Sequence, residues 1–160
     1  MTYQLDLETP ADEPVIRYRR FVKAPPALLF QAYTDPEHMK NWLGPRYLEM
    51  VLCEVDLRVG GRWRFVHRAP DGTEHAFHGV YREVDRPNRL SNTFVYEPWP
   101  DAESVDTVEF AEAEGGTLVV GTSRHSSIEA RDRHLASGME KGIAEGCERL
   151  DELVAALQSS

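Results

Sequence analysis

Cysteine is scarce in this chain. Cys53 and Cys147 are the only two among 160 residues, far apart and in segments of different pattern, which excludes a disulfide framework and a thiolate metal cluster. Long apolar runs are missing as well. Nothing approaches the roughly 20 apolar residues that span a bilayer, and Met1 to Pro14 lacks a basic patch followed by an apolar stretch, so the expected location is cytoplasmic, without membrane insertion. Positive charge is in deficit: 18 Lys and Arg against 27 Asp and Glu leave a net charge of −9. That balance disfavours nucleic-acid phosphates and anionic lipid as partners. The chain also has no Gly-x-Ser-x-Gly elbow, phosphate loop, dinucleotide fingerprint or paired-cysteine motif. Catalysis thus has no motif behind it, and neither a cofactor nor a metal is expected.

What is present suits one globular domain, 41% hydrophobic and 28% charged, long enough to bury a core. Residues 1–13 are polar and read as a flexible arm, with the domain running from 14 to 158. Val15 to Val22 form a β-rich run that stops at Pro25-Pro26. A short helix follows, carrying Leu28, Leu29, Ala32 and Tyr33 at helical spacing. Asp35-Pro36-Glu37 announces a second, with Asp35 as N-cap, and Gly44-Pro45 ends it. From Tyr47 to Ser123 the pattern is a meander of short strands, at about 47–58, 61–69, 73–84, 89–96, 104–113 and 116–124. With the first strand that makes seven. One long helix is expected over about 130–157, on the period of Leu135, Met139, Ile143, Cys147, Leu150 and Val154.

The turn Ala69-Pro70-Asp71-Gly72-Thr73 sets a register. Proline, aspartate and glycine in that order suit a type I turn closed by a glycine bulge. Pairing Ala69 with Thr73 places His67 opposite His75, Phe65 opposite Phe77 and Trp63 opposite Gly79, all on one side, with Arg64, His78, Arg62 and Val80 on the other. One face is then aromatic and the other charged, as a sheet with one solvated side requires. Leu90, Phe94 and Tyr96, then Val108 and Phe110, then Leu118 and Val120 extend the inner face. Tyr81 belongs there too, and the step from Tyr81 to Val84 calls for a bulge near Arg82 or Glu83.

Gly138, Gly142 and Gly146 recur every four residues along the last helix, at about 1 kcal/mol each relative to alanine. Two explanations stay open: close packing of the helix backbone against a neighbour, or side chains withheld to leave a cavity between helix and sheet.

A strand, two short helices, six meandering strands and a long helix make the helix-grip plan. The chain resembles the bacterial homologues of the activator of heat-shock-protein-90 ATPase, in the START-like or Bet v 1-like (SRPBCC) superfamily. The resemblance is carried by Val22-Lys23-Ala24-Pro25, Leu29-Phe30, Ala32-Tyr33-Thr34-Asp35-Pro36, Trp42, Val55 to Trp63, Pro70-Asp71-Gly72, Gly79 to Val84, Pro87-Asn88-Arg89-Leu90, Gly115-Gly116-Thr117-Leu118 and Gly138 to Gly142. It implies an α+β helix-grip fold, a curved antiparallel sheet gripping the last helix around a cavity, and a ligand-binding scaffold. The superfamily spans lipid carriers, hormone receptors, cyclases and self-resistance proteins. Where relatives show Gly-Trp in the last helix this chain has Gly142-Ile143, so no relative's ligand transfers to it. The eukaryotic namesake acts on its chaperone through an additional domain, for which this length leaves no room.

The expected function is binding of a small hydrophobic or aromatic molecule. Its lining is expected from Trp42, Trp63, Phe65, His67, His75, Phe77, Tyr81, Phe94, Tyr96, Val108, Phe110, Met139, Gly142, Ile143 and Gly146, with histidines and tyrosine hydroxyls as polar contacts. His67 and His75 come closest to a catalytic pair, but two imidazoles alone do not complete a zinc site. Asp56, Arg58, Arg62 and Arg64 read as a solvated ion-pair network, or as a clamp for a ligand carboxylate or phosphate. Proton-transfer or hydrolytic chemistry in the cavity, and a protein-interaction role including a homodimer or a stress-related partner, stand as alternatives.

Overall fold

The computed structural model describes residues 5–137 and 139–159. Two strands, β1 (Asp6–Glu8) and β2 (Val15–Val22), precede the helices α1 (Pro26–Thr34) and α2 (Pro36–Trp42). Six strands follow: β3 (Glu49–Val55), β4 (Arg62–Arg68), β5 (Glu74–Asp85), β6 (Arg89–Tyr96), β7 (Ser104–Ala113) and β8 (Gly116–Arg124). The chain ends in α3 (Ile128–Ala136) and α4 (Met139–Ser159). All eight strands join one open antiparallel sheet in the order β1-β2-β8-β7-β6-β5-β4-β3. Among the described residues, no helix is long and apolar enough to cross a membrane.

Two features add to the seven-strand expectation. The eighth strand comes from the arm, where Asp6–Glu8 pair with Arg17–Arg19. The last helix is two helices: Ser127 caps α3 by accepting from the Ala130 amide at 3.0 Å, and the Ser137 amide turns back to the His134 carbonyl. Arg131 ties α3 down. Its guanidinium, only 4% exposed, donates to the carbonyls of Pro10, Glu13 and Val15 at 2.7–3.0 Å, so the arm and the third helix hold each other.

The β4–β5 hairpin has the expected register, with His67 opposite His75, Phe65 opposite Phe77 and Trp63 opposite Gly79. Its turn closes through the Gly72 amide on the Ala69 carbonyl and the Ala69 amide on the Thr73 carbonyl, with Gly72 at φ +91°. The bulge falls between Tyr81 and Glu83. Asp35 caps α2 by accepting from the Glu37 amide at 3.0 Å, with Pro36 in the first turn. Arg58 bonds Asp56 at 2.9 Å, and Arg64 holds Glu97 through two bonds of 2.7 and 3.0 Å on the outer face. These are partly solvated ion pairs, whose stabilising effect is small.

The outcome at β8 differs from the expectation. Leu118 and Val120 point outward and Leu118 is 38% exposed, whereas Val119 between them is fully buried. The β7–β8 turn decides this: Ala113 pairs with Gly116, which brings Val119 opposite the buried Phe110. Both alternations along Thr117-Leu118-Val119-Val120 offer apolar residues, so only the loop count selects between them.

Two glycines seat two rings on the inner face. A methyl group on Gly79 would lie 1.9 Å from the Thr93 carbonyl oxygen and 2.7 Å from the Trp63 indole. One on Gly121 would lie 2.1 Å from the Tyr18 ring. The α4 glycines do something else. A Cβ on Gly146 would meet the Trp42 and Gly44 backbone at 3.4–3.6 Å, and one on Gly142 only Pro45 Cδ at 3.7 Å. Gly142 and Gly146 therefore face the loop that ends α2, where Arg149 also donates to the Gly44 carbonyl at 2.9 Å. A methyl group would fit at both positions, so close packing does not require either glycine, and Gly138 lies outside the described residues.

The two kinds of glycine give opposite expected outcomes. Gly79→Ala, which must displace backbone, is expected to cost about 3 kcal/mol or more in chemical denaturation. Gly142→Ala, which enters ordinary contact, is expected to raise stability by about 1 kcal/mol.

Candidate functional site

On the inner face of β4–β6 the rings form one continuous set. Trp63 stacks on Phe65 with centroids 5.4 Å apart, Phe65 on Phe77 at 5.0 Å and Phe77 on Tyr96 at 5.0 Å. Phe94 closes the group, 5.3 Å from Phe77 and 5.7 Å from Trp63. Trp63 and Phe65 are buried, while Phe77, Phe94 and Tyr96 keep accessible surface. The Trp63 indole nitrogen is buried without an acceptor.

Several expected lining residues pack elsewhere. Trp42 donates its indole N–H to the Ala32 carbonyl at 2.8 Å and sits 4.7 Å from the Tyr33 ring, inside the α1–α2 layer. Phe110 meets Phe30 and Tyr33 of α1 at 6.0 and 5.1 Å. Gly142 and Gly146 face the Gly44-Pro45 loop. Ile143 is half-buried, Val108 and Tyr81 are buried on the inner face, and the Met139 side chain lies outside the described residues.

The two histidines of the pair have different surroundings. His67 is 4% exposed, lies 5.1 Å from the Phe65 ring and presses on Gly44, where a Cβ would approach its Cε1 to 2.6 Å. Burial, with Arg149 and His75 adding to it, pushes its pKa down to about 4. A neutral imidazole of such low basicity accepts protons poorly at pH 7. His75 instead pairs its Nδ1 with the Tyr96 hydroxyl at 2.9 Å. Among the described residues, no three of His, Cys, Asp and Glu converge as metal ligands.

The polar part of the inner face is a group that the spacing argument passed over. Asp106 on β7 stands between Asn92 of β6 and Ser123 of β8, with Ser104 two residues earlier on the same strand. Its carboxylate accepts from the Ser104 hydroxyl at 3.5 Å. Ser123 Oγ lies 3.1 Å from His125 Nε2, and the His125 ring lies 5.1 Å from that of His134 on α3. His134 in turn meets Phe94 edge-on at 6.4 Å. The signal for this group was in the alternation itself. Counting back by two from Phe110 and Val108 arrives at Asp106, and from Leu90 forward at Asn92.

Desolvation and residual surface coincide here. Asp106 is only half-buried, yet burial pushes its pKa up to about 6, against the lowering effect of the Ser123 and Ser104 hydroxyls. Tyr18 and Tyr33 are also half-buried, and burial pushes Tyr18 up to about 12 and Tyr33 well above its ordinary value. Burial likewise drives His125 down to about 4 and lowers His134.

A pocket of about 20 Å³ lies at the α3 end of this face, lined by Phe94, Tyr96, Ser104, His125 and His134 among others. It has room for about one water molecule. A larger depression of about 230 Å³ lies on the opposite face, between Asp6, Glu8, Arg17, Arg19, Leu118 and Val120. There Arg19 pairs with Glu8 at 3.2 Å and Arg17 with Glu13 at 3.3 Å, and all four side chains are more than a third exposed. The buried, under-partnered groups are on the inner face.

The comparisons agree with this architecture. The family described as Activator of Hsp90 ATPase homolog 1-like protein matches residues 23–155. A solved structure from Rhodobacter sphaeroides is 28% identical, with 96% of this chain and 99% of that one covered at a TM-score of 0.88. One from Mycobacterium smegmatis is 26% identical over 96% and 97% at 0.84, and one from Nitrosomonas europaea 25% identical over 94% and 100% at 0.85. No curated protein matches. With the profile spanning most of its length and the curved sheet and terminal helix in place, the chain belongs to the Activator of Hsp90 ATPase homolog 1-like family, in the START-like superfamily.

Proposed function

We propose that the protein binds a small apolar, ring-bearing molecule on the inner face of β4–β7, beneath α3. The observation that carries this reading is the juxtaposition of two surfaces: the Trp63, Phe65, Phe77, Phe94 and Tyr96 rings, and the desolvated group around Asp106. Apolar walls with a few convergent polar groups are the ordinary composition of a ligand pocket. The space near α3 is too small for a drug-sized molecule, so binding on this reading includes an outward shift of α3. Its position rests on Arg131 and on the ring contact of His134 with Phe94.

The neutral dye N-phenyl-1-naphthylamine tests this directly, because its emission rises in a dry site. Saturable enhancement is expected, weakened at least about tenfold by Phe77→Ala or Phe94→Ala. The same loss from Leu118→Ser would place binding on the outer face, and no enhancement with the dye would remove this reading.

Asp106 also has a titration signature. A carboxyl raised to about 6 when folded, from about 3.9 unfolded, binds more protons in the native state. It therefore lowers stability as pH rises from about 4 to 6. Asp106→Asn removes that penalty and is expected to stabilise by about 1–2 kcal/mol at pH 7, allowing for residual solvent screening, with the gain vanishing near pH 4. His67 and His125, held neutral down to about 4, act oppositely in both proteins, favouring unfolding as pH falls from about 6.5. Denaturation of the pair across this range checks the sign, and a variant gain that persists at pH 4 would contradict it.

A further inference from the structure

Asp106 has no cation beside it. Among the described residues no lysine, arginine or histidine nitrogen forms an ion pair with its carboxylate. A carboxylate offers about four acceptor positions, and here the one hydroxyl that reaches it is Ser104, at the outer limit of 3.5 Å, with Ser123 opposite on the next strand. The other donors close by are not bonded to it. Asn92, directly across the strand pair, donates one of its two amide N–H groups to the Thr93 carbonyl at 2.9 Å, and His125 Nε2 is engaged with Ser123. The acid thus stands on the inner face with capacity left over, flanked in the strand lattice by Phe94, Tyr81 and Tyr18.

We propose, building on the binding reading above, that the ligand is cationic: an aromatic or apolar molecule carrying a protonated amine, which the Asp106 carboxylate receives while the Phe94 and Phe77 rings hold the apolar body. The choice of a cation over a neutral donor follows from electrostatics. A lone carboxylate away from bulk water carries a desolvation cost that a hydroxyl offsets only in part and an opposite charge offsets far more, while an anion would add repulsion. The neighbouring ring faces favour the same charge. The net charge of −9 draws cations toward the protein at low salt.

Three naphthalenes of one shape separate the possibilities: 2-naphthylmethylamine, 2-naphthalenemethanol and 2-naphthoate, each competing against N-phenyl-1-naphthylamine. The wild-type protein is expected to bind the amine at least about tenfold more tightly than the alcohol, and the carboxylate most weakly. In Asp106→Asn the amine-to-alcohol ratio is expected to fall to about one. The ratio is internal to each protein, so a common change in dye affinity cancels. Dye binding with equal affinity for amine and alcohol in the wild type, or an amine preference that survives Asp106→Asn, overturns the cationic assignment and leaves the binding reading standing. Absence of dye binding overturns both. The wild-type ranking needs no variant, so a poorly folded Asp106→Asn would not rescue the proposal.

Discussion

The Trp63 ring lying over the bare backbone of Gly79 is the constraint from which the rest of the inner face follows. A side chain at that position would collide with the ring and with the Thr93 carbonyl on the next strand, so the β4–β5 register and the approach of β6 are set together. Once Trp63 is fixed, Phe65 and Phe77 stack in sequence and Phe94 and Tyr96 complete the set. The opposite faces of the same strands carry Arg64, His78 and Glu97, joined by short ion pairs. Slipping by one residue would bury those charges and expose the rings, which makes the alternative pairing unfavourable throughout the hairpin.

The same logic repeats across the sheet with a polar outcome. Gly121 admits the Tyr18 ring, and the inward position of β7 beyond Val108 is taken by Asp106 rather than by another hydrocarbon. An inner face made only of Val, Leu and Phe would pack to closure and gain stability. Placing an acid without a counter-ion there costs stability, and such a cost is characteristic of surfaces shaped for something other than folding. The terminal helices serve a supporting part. Arg149 of α4 holds the loop after α2, and Arg131 of α3 closes the arm against β2.

Much of this was legible in the residues. The Pro70-Asp71-Gly72 turn determines the hairpin, and from it the aromatic face and the bulge near Arg82 both follow as expected. Asp35-Pro36 announced the start of α2 for the physical reason it has, an N-cap followed by a ring that needs no amide donor. At β8 the apolar pattern was two-sided, so alternation had no preference and the Ala113–Gly116 turn chose. The glycine stripe is ambiguous in one dimension, because spacing says that a helix face lacks side chains and not which neighbour uses the gap. Asp106 was readable by counting along β7, yet an acid in a strand suggests a solvated position until its cross-strand neighbours are known.

The most direct measurement is where a bound apolar molecule lies. Intermolecular NOEs from N-phenyl-1-naphthylamine, recorded on the isotopically labelled protein, are expected to reach the Phe77 and Phe94 rings and the Val108 methyls. NOEs confined to Leu118 and Val120 on the outer face would contradict the assignment of the inner face as the site.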